Sequence, residues 1–432
     1  MSFLYDNLTA PTGNLFFAGQ DVTALAKEYG TPLMLVDEQR IRNRCREYIT
    51  AMEDYLPAGS HPMYASKALS IRQIYRIMAQ ENMGVDVVSR GEIYTAFSAG
   101  FPMEKACFHG NSKTDADIAF AMEKGVGMLV CDGEDELTAI NRLAAQRGIR
   151  QKVLLRLSPG IDPHTHEKIS TGRVDCKFGT AIETGQAETL IGYCLGLENV
   201  QLQGYHCHIG SQIFEADPFY DAAEMMLRFV AQMEKKFGYH PAQLDLGGGM
   251  GVPYVAGDAA IDYRENIRRI GLCIQKICDR LAIQPPAIVM EPGRSIVADA
   301  GITVYEVTAI KEIPGFKNYV AVNGGMTDNP RYALYNAAYT VLPVCQPDRK
   351  GDFLCTIAGC CCESGDLIQE DVYLPRPARG DLLAVLTTGA YNYSMASNYN
   401  RVPRPPVVMI GKNGPYVAVR RETLEDLIQY DL

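Results

Sequence analysis

Lys67 is where the apolar run Pro62-Met63-Tyr64-Ala65-Ser66 meets a single cation. An amine at the end of a buried strand is costly to keep charged. Desolvation lowers its pKa and leaves a neutral nucleophile able to form a Schiff base. That chemistry points to a covalently held carbonyl cofactor, with pyridoxal phosphate the leading candidate. A lysine taken alone is more often a surface residue, its stem on apolar atoms and its head in water, so the case rests on the company it keeps. Asp86, His109, His208, Gly247 and Glu291 also stand at or near the ends of apolar runs. Gly247-Gly248-Gly249 would let backbone N–H groups approach an anion, or would simply make a tight turn. Ser211 could add a hydroxyl to the same phosphate, or bond its own backbone. In Glu291-Pro292-Gly293-Arg294 a carboxylate precedes a guanidinium by three residues. Beside a pyridine nitrogen that carboxylate would favour the protonated ring, a strong electron sink; the plainer reading is a structural Glu–Arg pair. His206 and His208, two apart on a strand, face one side. With His164, His166 and Cys360-Cys361-Cys362 they invite a metal reading, but neither a CxxC pair nor an HExxH helix accompanies them. One of these rings stacked on a flat cofactor suits the pattern better, and no metal is expected.

The elements that must position these residues alternate. Apolar runs near 62–67, 83–89, 106–110, 127–131, 151–157, 202–209, 242–247 and 286–291 read as strands. Amphipathic stretches fill the gaps, most clearly Glu134 to Gln146 and Phe219 to Phe237. Strand alternating with helix eight times predicts an α/β fold, a parallel (β/α)8 TIM-type barrel whose chemistry lies at the C-terminal ends of its strands. An open doubly wound sheet is the alternative, but Gly247-Gly248-Gly249-Met250-Gly251 lacks the GxGxxG spacing. After about residue 295, runs such as Thr303–Val307, Leu382–Leu386 and Val407–Ile410 predict a mostly β domain, which Pro32–Val36 could join. The expected division is a barrel over 36–294 and a β-rich domain built from 1–35 and 295–432.

The chain has 432 residues, too many for one ordinary core. Its net charge of -10 argues against a nucleic-acid surface and gives no attraction to an anionic membrane. The N-terminus shows no signal-peptide pattern, and no apolar run would span a bilayer. Thirteen scattered cysteines, an odd number, fit free thiols in a reducing cytoplasm better than a disulfide framework.

Several segments in shared order resemble the diaminopimelate decarboxylases, pyridoxal phosphate enzymes of the alanine-racemase-like fold class. In the barrel these are Tyr64-Ala65-Ser66-Lys67-Ala68, His206-Cys207-His208-Ile209-Gly210-Ser211-Gln212, Leu246-Gly247-Gly248-Gly249 and Glu291-Pro292-Gly293-Arg294. In the β domain they are Asn329-Pro330-Arg331, Cys362-Glu363-Ser364-Gly365-Asp366 and Gly389-Ala390-Tyr391. The resemblance covers nearly the whole chain. It implies decarboxylation of meso-2,6-diaminopimelate to L-lysine, the last step of lysine biosynthesis. Lys67 would carry the cofactor, with Asp86 also near it, and His208 would stack on its ring. Glu291 would keep the ring nitrogen protonated. Ser211, Gly248, Gly249, Gly293 and Arg294 would surround the phosphate, and Tyr391 would close the site. Cys362 would return a proton to the substrate. Arg294, Arg331 and Tyr335 would hold the distal carboxylate and Glu363 the distal ammonium; Arg331 and Tyr335 could equally be an i,i+4 pair on an exposed helix. The resemblance also implies a homodimer with shared sites, Cys362 and Glu363 coming from the partner. Three other readings stay open: a sister decarboxylase for another basic or carrier-bound amino acid, a non-catalytic cofactor carrier, and a metal-dependent hydrolase.

The chain departs from the family pattern at Cys360 and Cys361, where the family often has lysine and histidine, and at Ser66, where the family often has a bulkier residue and packing alone should change. Two further thiols beside a proton donor could make the site sensitive to oxidation. Mild oxidant should then cut activity reversibly, and a Cys360→Ser/Cys361→Ser variant should resist. Equal sensitivity of the variant would sink the idea.

Overall fold

A computed structural model describes residues 3–160 and 176–432; His164 and His166 lie outside them. Eight strands form a closed parallel barrel: β1 His61–Ala65, β2 Gly84–Val87, β3 Ala106–Phe108, β4 Met128–Cys131, β5 Gln151–Ser158, β6 Val200–His206, β7 Gln243–Asp245 and β8 Ala287–Met290. Each pairs in parallel with the next, and β8 pairs back onto β1 through Val289 opposite His61. A strand covered on one face by helices and on the other by the barrel interior reads as a nearly unbroken apolar run. This is why all eight were visible in the sequence. Met63, Cys107, Val130, Leu154 and Val289, from five different strands, meet inside the barrel. Burying side chains of this size stabilises by roughly 1.5–3 kcal/mol each.

Several strands end earlier than the apolar runs suggested. The β6 ladder stops at His206, although Cys207 and Ile209 remain buried. Here the chain turns inward as a loop: Cys207 N–H still donates to the Asp245 carbonyl at 2.9 Å. Gly204 sits at an irregularity in the same strand, where an added Cβ would lie 1.8 Å from the Gln243 carbonyl oxygen. No other residue fits so close a strand–strand approach.

The two clearest helices appear at Glu134–Ala145 and Asp217–Phe237. The first buries Leu137, Ile140, Leu143 and Ala144, a three- and four-residue recurrence. The second begins two residues before the apolar pattern, because Pro218 suits a first helical turn, and ends at Gly238 with φ 64°.

The chain divides into two compact units. The barrel unit is Asn43–Gly251 with Ile261–Gly293, and the β unit is Met1–Arg42, Val252–Ala260 and Arg294–Leu432. The β unit thus takes in Arg294, seven more residues at the N-terminal side than expected, and a short excursion at 252–260. Its main sheet runs Leu367–Leu374, Phe353–Ala358, Lys317–Val322, Gly301–Ile313, Leu33–Asp37, Val407–Gly411 and Gly414–Val419 in spatial order. Leu33–Asp37 lies in its interior, antiparallel to Gly301–Ile313 and parallel to Val407–Gly411. Leu33 and Leu35 pack there with Ile302, Val304, Leu386 and Val408. No helix among the described residues is long and apolar enough to cross a membrane.

Candidate active site

In the barrel unit the chemistry gathers at the C-terminal strand ends. Ala65 ends β1 and donates its N–H to the Pro292 carbonyl at 3.1 Å. Ser66–Ala68 then makes a single 3-10 turn, with Ser66 and Ala68 buried and Lys67 exposed. This corrects the expectation of a lysine desolvated at a strand end. The strand stops two residues short of Lys67, which stands on the turn within electrostatic reach of Asp86 and His208.

Glu291 follows β8 and is buried, its N–H donating to the Gly247 carbonyl at 2.8 Å. His109 Nε2 lies 2.9 Å from Glu291 Oε1, and His206 Nε2 lies 3.3 Å from Oε2. The first contact is an ion pair set off the hydrogen-bond direction; the second is a hydrogen bond. The two imidazoles meet edge to face, with centroids 5.0 Å apart at 73°. Asp86 Oδ1 stands 3.9 Å from His109 Nε2, and buried Asp245 adjoins Glu291 while accepting the Gly247 N–H at 2.8 Å. Five titratable groups from five strand ends therefore share one water-poor site.

They cannot all be charged. Burial raises Glu291, but His109 and His206 outweigh it and hold the carboxyl well below the usual range. Burial pushes Asp245 well up, and the Glu291 charge adds to this. Burial likewise raises Asp86, with His109 opposing. His109 is raised because Asp86 and Glu291 outweigh its burial, whereas His206 is pushed down by burial to about 4. One carboxylate is thus kept ionised among carboxyls driven toward neutrality. The ligand atoms of His109, His206 and Glu291 lie within 4.8 Å of one another, so the trio could geometrically hold a metal ion.

His208 is half-buried beside this group, and its Nδ1 accepts the Gly248 N–H at 3.3 Å. Burial and the Lys67 charge push its imidazole well down, so the ring is neutral. A Cβ on Gly248 would lie 2.1 Å from the Glu291 carbonyl oxygen, and one on Gly293 would lie 2.9 Å from the Ala65 Cβ. These glycines therefore have a packing reason in addition to any anion they might meet. Gly249 and half-buried Ser211 sit on the two adjoining loops. A separate cavity of about 440 Å³ opens at the opposite, N-terminal mouth, lined by His61, Lys105 and Lys152 among others and reaching Asp245.

In the β unit, buried Arg294 donates from Nη1 to the Tyr254 hydroxyl at 2.8 Å and lies 4.8 Å from the centroid of Tyr391, which has φ 61°. Buried Arg331 donates to the Tyr339 hydroxyl at 3.0 Å, and Tyr339 donates to Asn392 Oδ1 at 3.1 Å. Its guanidinium also lies 5.0 Å from the Tyr254 centroid. Burial alone would raise the Tyr254 phenol, but Arg294 and Arg331 hold it below its ordinary range. Arg331–Tyr335 is a five-residue helix with Arg331 buried and Tyr335 half-buried, not an exposed i,i+4 pair. Arg331 has no carboxylate within ion-pair distance among the described residues. Tyr254, Tyr339 and Asn392 escaped sequence reasoning, since isolated tyrosines in loops carry no periodic signal.

Cys362 and Glu363 lie exposed on a turn that is firmly held. Cys362 N–H donates to Asn400 Oδ1, and Cys361 N–H to buried Asp366, each at 2.7 Å. All 13 cysteines are free. Burial and Asp366 raise the Cys360 thiol and push Cys361 to about 12. Both are poor thiolates, which weakens the expectation that they make the site sensitive to oxidation.

Residues 38–298 match the family described as pyridoxal-dependent decarboxylase, pyridoxal binding domain. The diaminopimelate decarboxylase of Bacillus subtilis (strain 168) is 42% identical over 422 residues, 97% of this chain and 95% of the relative. That of Staphylococcus aureus (strain COL) is 42% identical over 420 residues, 97% and 98% of the two chains. The crystal structure of diaminopimelate decarboxylase from M. jannaschii in co-complex with L-lysine superposes with a TM-score of 0.92 at 34% identity, covering 100% of this chain and 99% of that one.

The His206 environment makes a pH prediction for the cofactor-free protein. The unfolded imidazole takes up a proton near its ordinary 6.5, whereas folded His206 does so only near 4. Stability present above pH 6.5 is therefore lost as pH falls toward 4, by about 3 kcal/mol from this group. The urea midpoint of His206→Gln should fall less than wild type between pH 7 and 4.5. His109, shifted the other way, is common to both proteins. Parallel midpoint curves would show that His206 is not the group responsible.

Proposed function

The chain belongs to the diaminopimelate decarboxylases of the pyridoxal-dependent decarboxylase family, and from that premise we propose how its own residues act. It is a carboxy-lyase that converts meso-2,6-diaminopimelate to L-lysine and carbon dioxide, with pyridoxal 5'-phosphate as cofactor. The observation that carries the mechanism is Glu291, a buried carboxylate kept ionised, with Oε1 making no hydrogen bond of its own. Such an acceptor fits a protonated pyridine nitrogen, and the nearby neutral imidazole of His208 fits a flat ring. When bound, pyridoxal phosphate supplies the electron sink for the pair released as the carboxylate leaves.

Lys67 would hold the cofactor through its side-chain amine, at the place the substrate's amino group would take. Glu291 holds a proton at the ring nitrogen, and Asp86 lies at the same rim. Backbone N–H groups at Gly248, Gly249 and Gly293, the Ser211 hydroxyl and Arg294 bind the phosphate, and Tyr391 covers it. Arg331, with Arg294 and Tyr335, orients the distal carboxylate. What supports this is a buried guanidinium surrounded by phenols, because a buried cation lacking a carboxylate is poised for an anion. Glu363 takes the distal ammonium, and the Cys362 thiol gives its proton to the carbon that lost carbon dioxide. The exposed, rigid turn carrying Cys362 and Glu363 supports a homodimer in which each subunit lends this turn to its partner's site. A cytoplasmic location fits the free thiols. Arg331 disfavours a sister enzyme for lysine or ornithine, because those substrates lack the distal carboxylate.

Purified protein given pyridoxal phosphate should form L-lysine from meso-diaminopimelate and release no carbon dioxide from L-ornithine, L-lysine or L-arginine. Turnover of those amines instead would move it to a sister specificity. Lys67→Ala should lose the visible absorbance of bound cofactor and nearly all turnover; normal activity would refute its role. Arg331→Ala should raise KM by the equivalent of roughly 2–5 kcal/mol with little change in cofactor binding. An unchanged KM would place substrate recognition elsewhere.

A further inference from the structure

His109 and His206 have no part in the chemistry just described, yet both are buried against Glu291. They come from different elements: His109 follows β3, its N–H donating to the Val87 carbonyl at 2.8 Å, and His206 closes β6. Each places Nε2 on a different oxygen of Glu291, at 2.9 and 3.3 Å. Their rings pack edge to face at 5.0 Å, so neither can turn without displacing the other. A glutamate side chain has three rotatable bonds, and one held at a single oxygen could still swing. Held at both, it has one orientation.

We infer that His109 and His206 are positioning residues that fix the two oxygens of Glu291, so that the carboxylate meets the cofactor's ring nitrogen in one orientation. This rests on the proposed role of Glu291. Histidine suits the task better than a permanent cation. Arginine or lysine here would close a full ion pair with Glu291 and compete with the ring nitrogen for its charge. An imidazole carries no permanent charge and still fixes the carboxylate, His206 through a hydrogen bond and His109 through the close Nε2–Oε1 contact. Asp86 Oδ1 lies 3.9 Å from the same His109 Nε2, so that nitrogen faces carboxyl oxygens of both Glu291 and Asp86. The ordinary alternative is that the two histidines are satisfied core groups whose loss merely loosens the fold.

Glutamine and asparagine separate these readings. A glutamine amide reaches about where histidine Nε2 lies; an asparagine amide reaches only to Nδ1. Full-length wild type, Glu291→Gln, His206→Gln, His206→Asn, His109→Gln and His109→Asn would be loaded with pyridoxal phosphate carrying 15N at the ring nitrogen. The 15N chemical shift reads whether that nitrogen is protonated, independently of turnover. Wild type should show the protonated shift and Glu291→Gln should lose it. The two asparagine variants should shift toward the unprotonated value and lose kcat roughly tenfold or more, with KM within about twofold. The glutamine variants should recover most of both. Asparagine variants that keep the wild-type shift and kcat would overturn the inference while leaving Glu291 in place. So would glutamine and asparagine variants that fail alike, in step with their melting temperatures. A protonated nitrogen in Glu291→Gln would instead overturn the role of Glu291, and the inference with it.

Discussion

The organisation of the barrel rim depends on burying one ionised carboxylate. Taking the Glu291 charge out of water costs several kcal/mol unless partners replace the lost hydration. Those partners, His109 and His206, arrive from two other strand ends, and no local segment could have supplied both. Their presence in turn dictates the state of the remaining acids. Asp86 and Asp245 share the same buried space with Glu291, and a second full negative charge there would be repelled, so burial drives both toward neutrality. The closed barrel makes this possible, because it brings five strand ends of widely separated sequence to one small volume.

The β unit solves the opposite problem. Arg331 is buried with phenols and an amide for company. Aromatic faces and hydroxyl oxygens lower the cost of a buried guanidinium without cancelling its charge. The outcome is a cation kept available, as Glu291 is an anion kept available. Each unit thus holds one buried charge that its neighbours do not cancel: the barrel rim an anion, the β unit a cation.

The Cys362 turn shows a third constraint, rigidity. Four neighbouring groups tie its backbone: Gly324 carbonyl to Cys360, Asp366 to Cys361, Asn400 to Cys362, and the Cys361 carbonyl to Glu363. An exposed turn presents its side chains in one arrangement only when its N–H groups are fixed by the structure beneath it.

The amino-acid sequence by itself determined the barrel and its rim. All eight strands were legible because strands buried on both faces are continuous apolar runs; of the five titratable groups sharing the rim, Asp86, His109 and Glu291 were read at strand ends, whereas Asp245 was not singled out. Lys67, Glu291, His208 and the glycine run each have a bland use taken alone and stood out because they recur together at the ends of apolar runs. The tertiary structure alone decided their environments. Lys67 is exposed on the 3-10 turn Ser66–Ala68 that follows β1 directly, at a point where the apolar run gave no sign of stopping. Gly248 and Gly293 are required by close approaches to Glu291 and Ala65, contacts more than 40 residues away in sequence. Arg331 is buried because Tyr254 and Tyr339 close around it from two other segments. Periodicity reports which face of an element is covered. It carries no record of which distant side chain does the covering, and charge state follows from that.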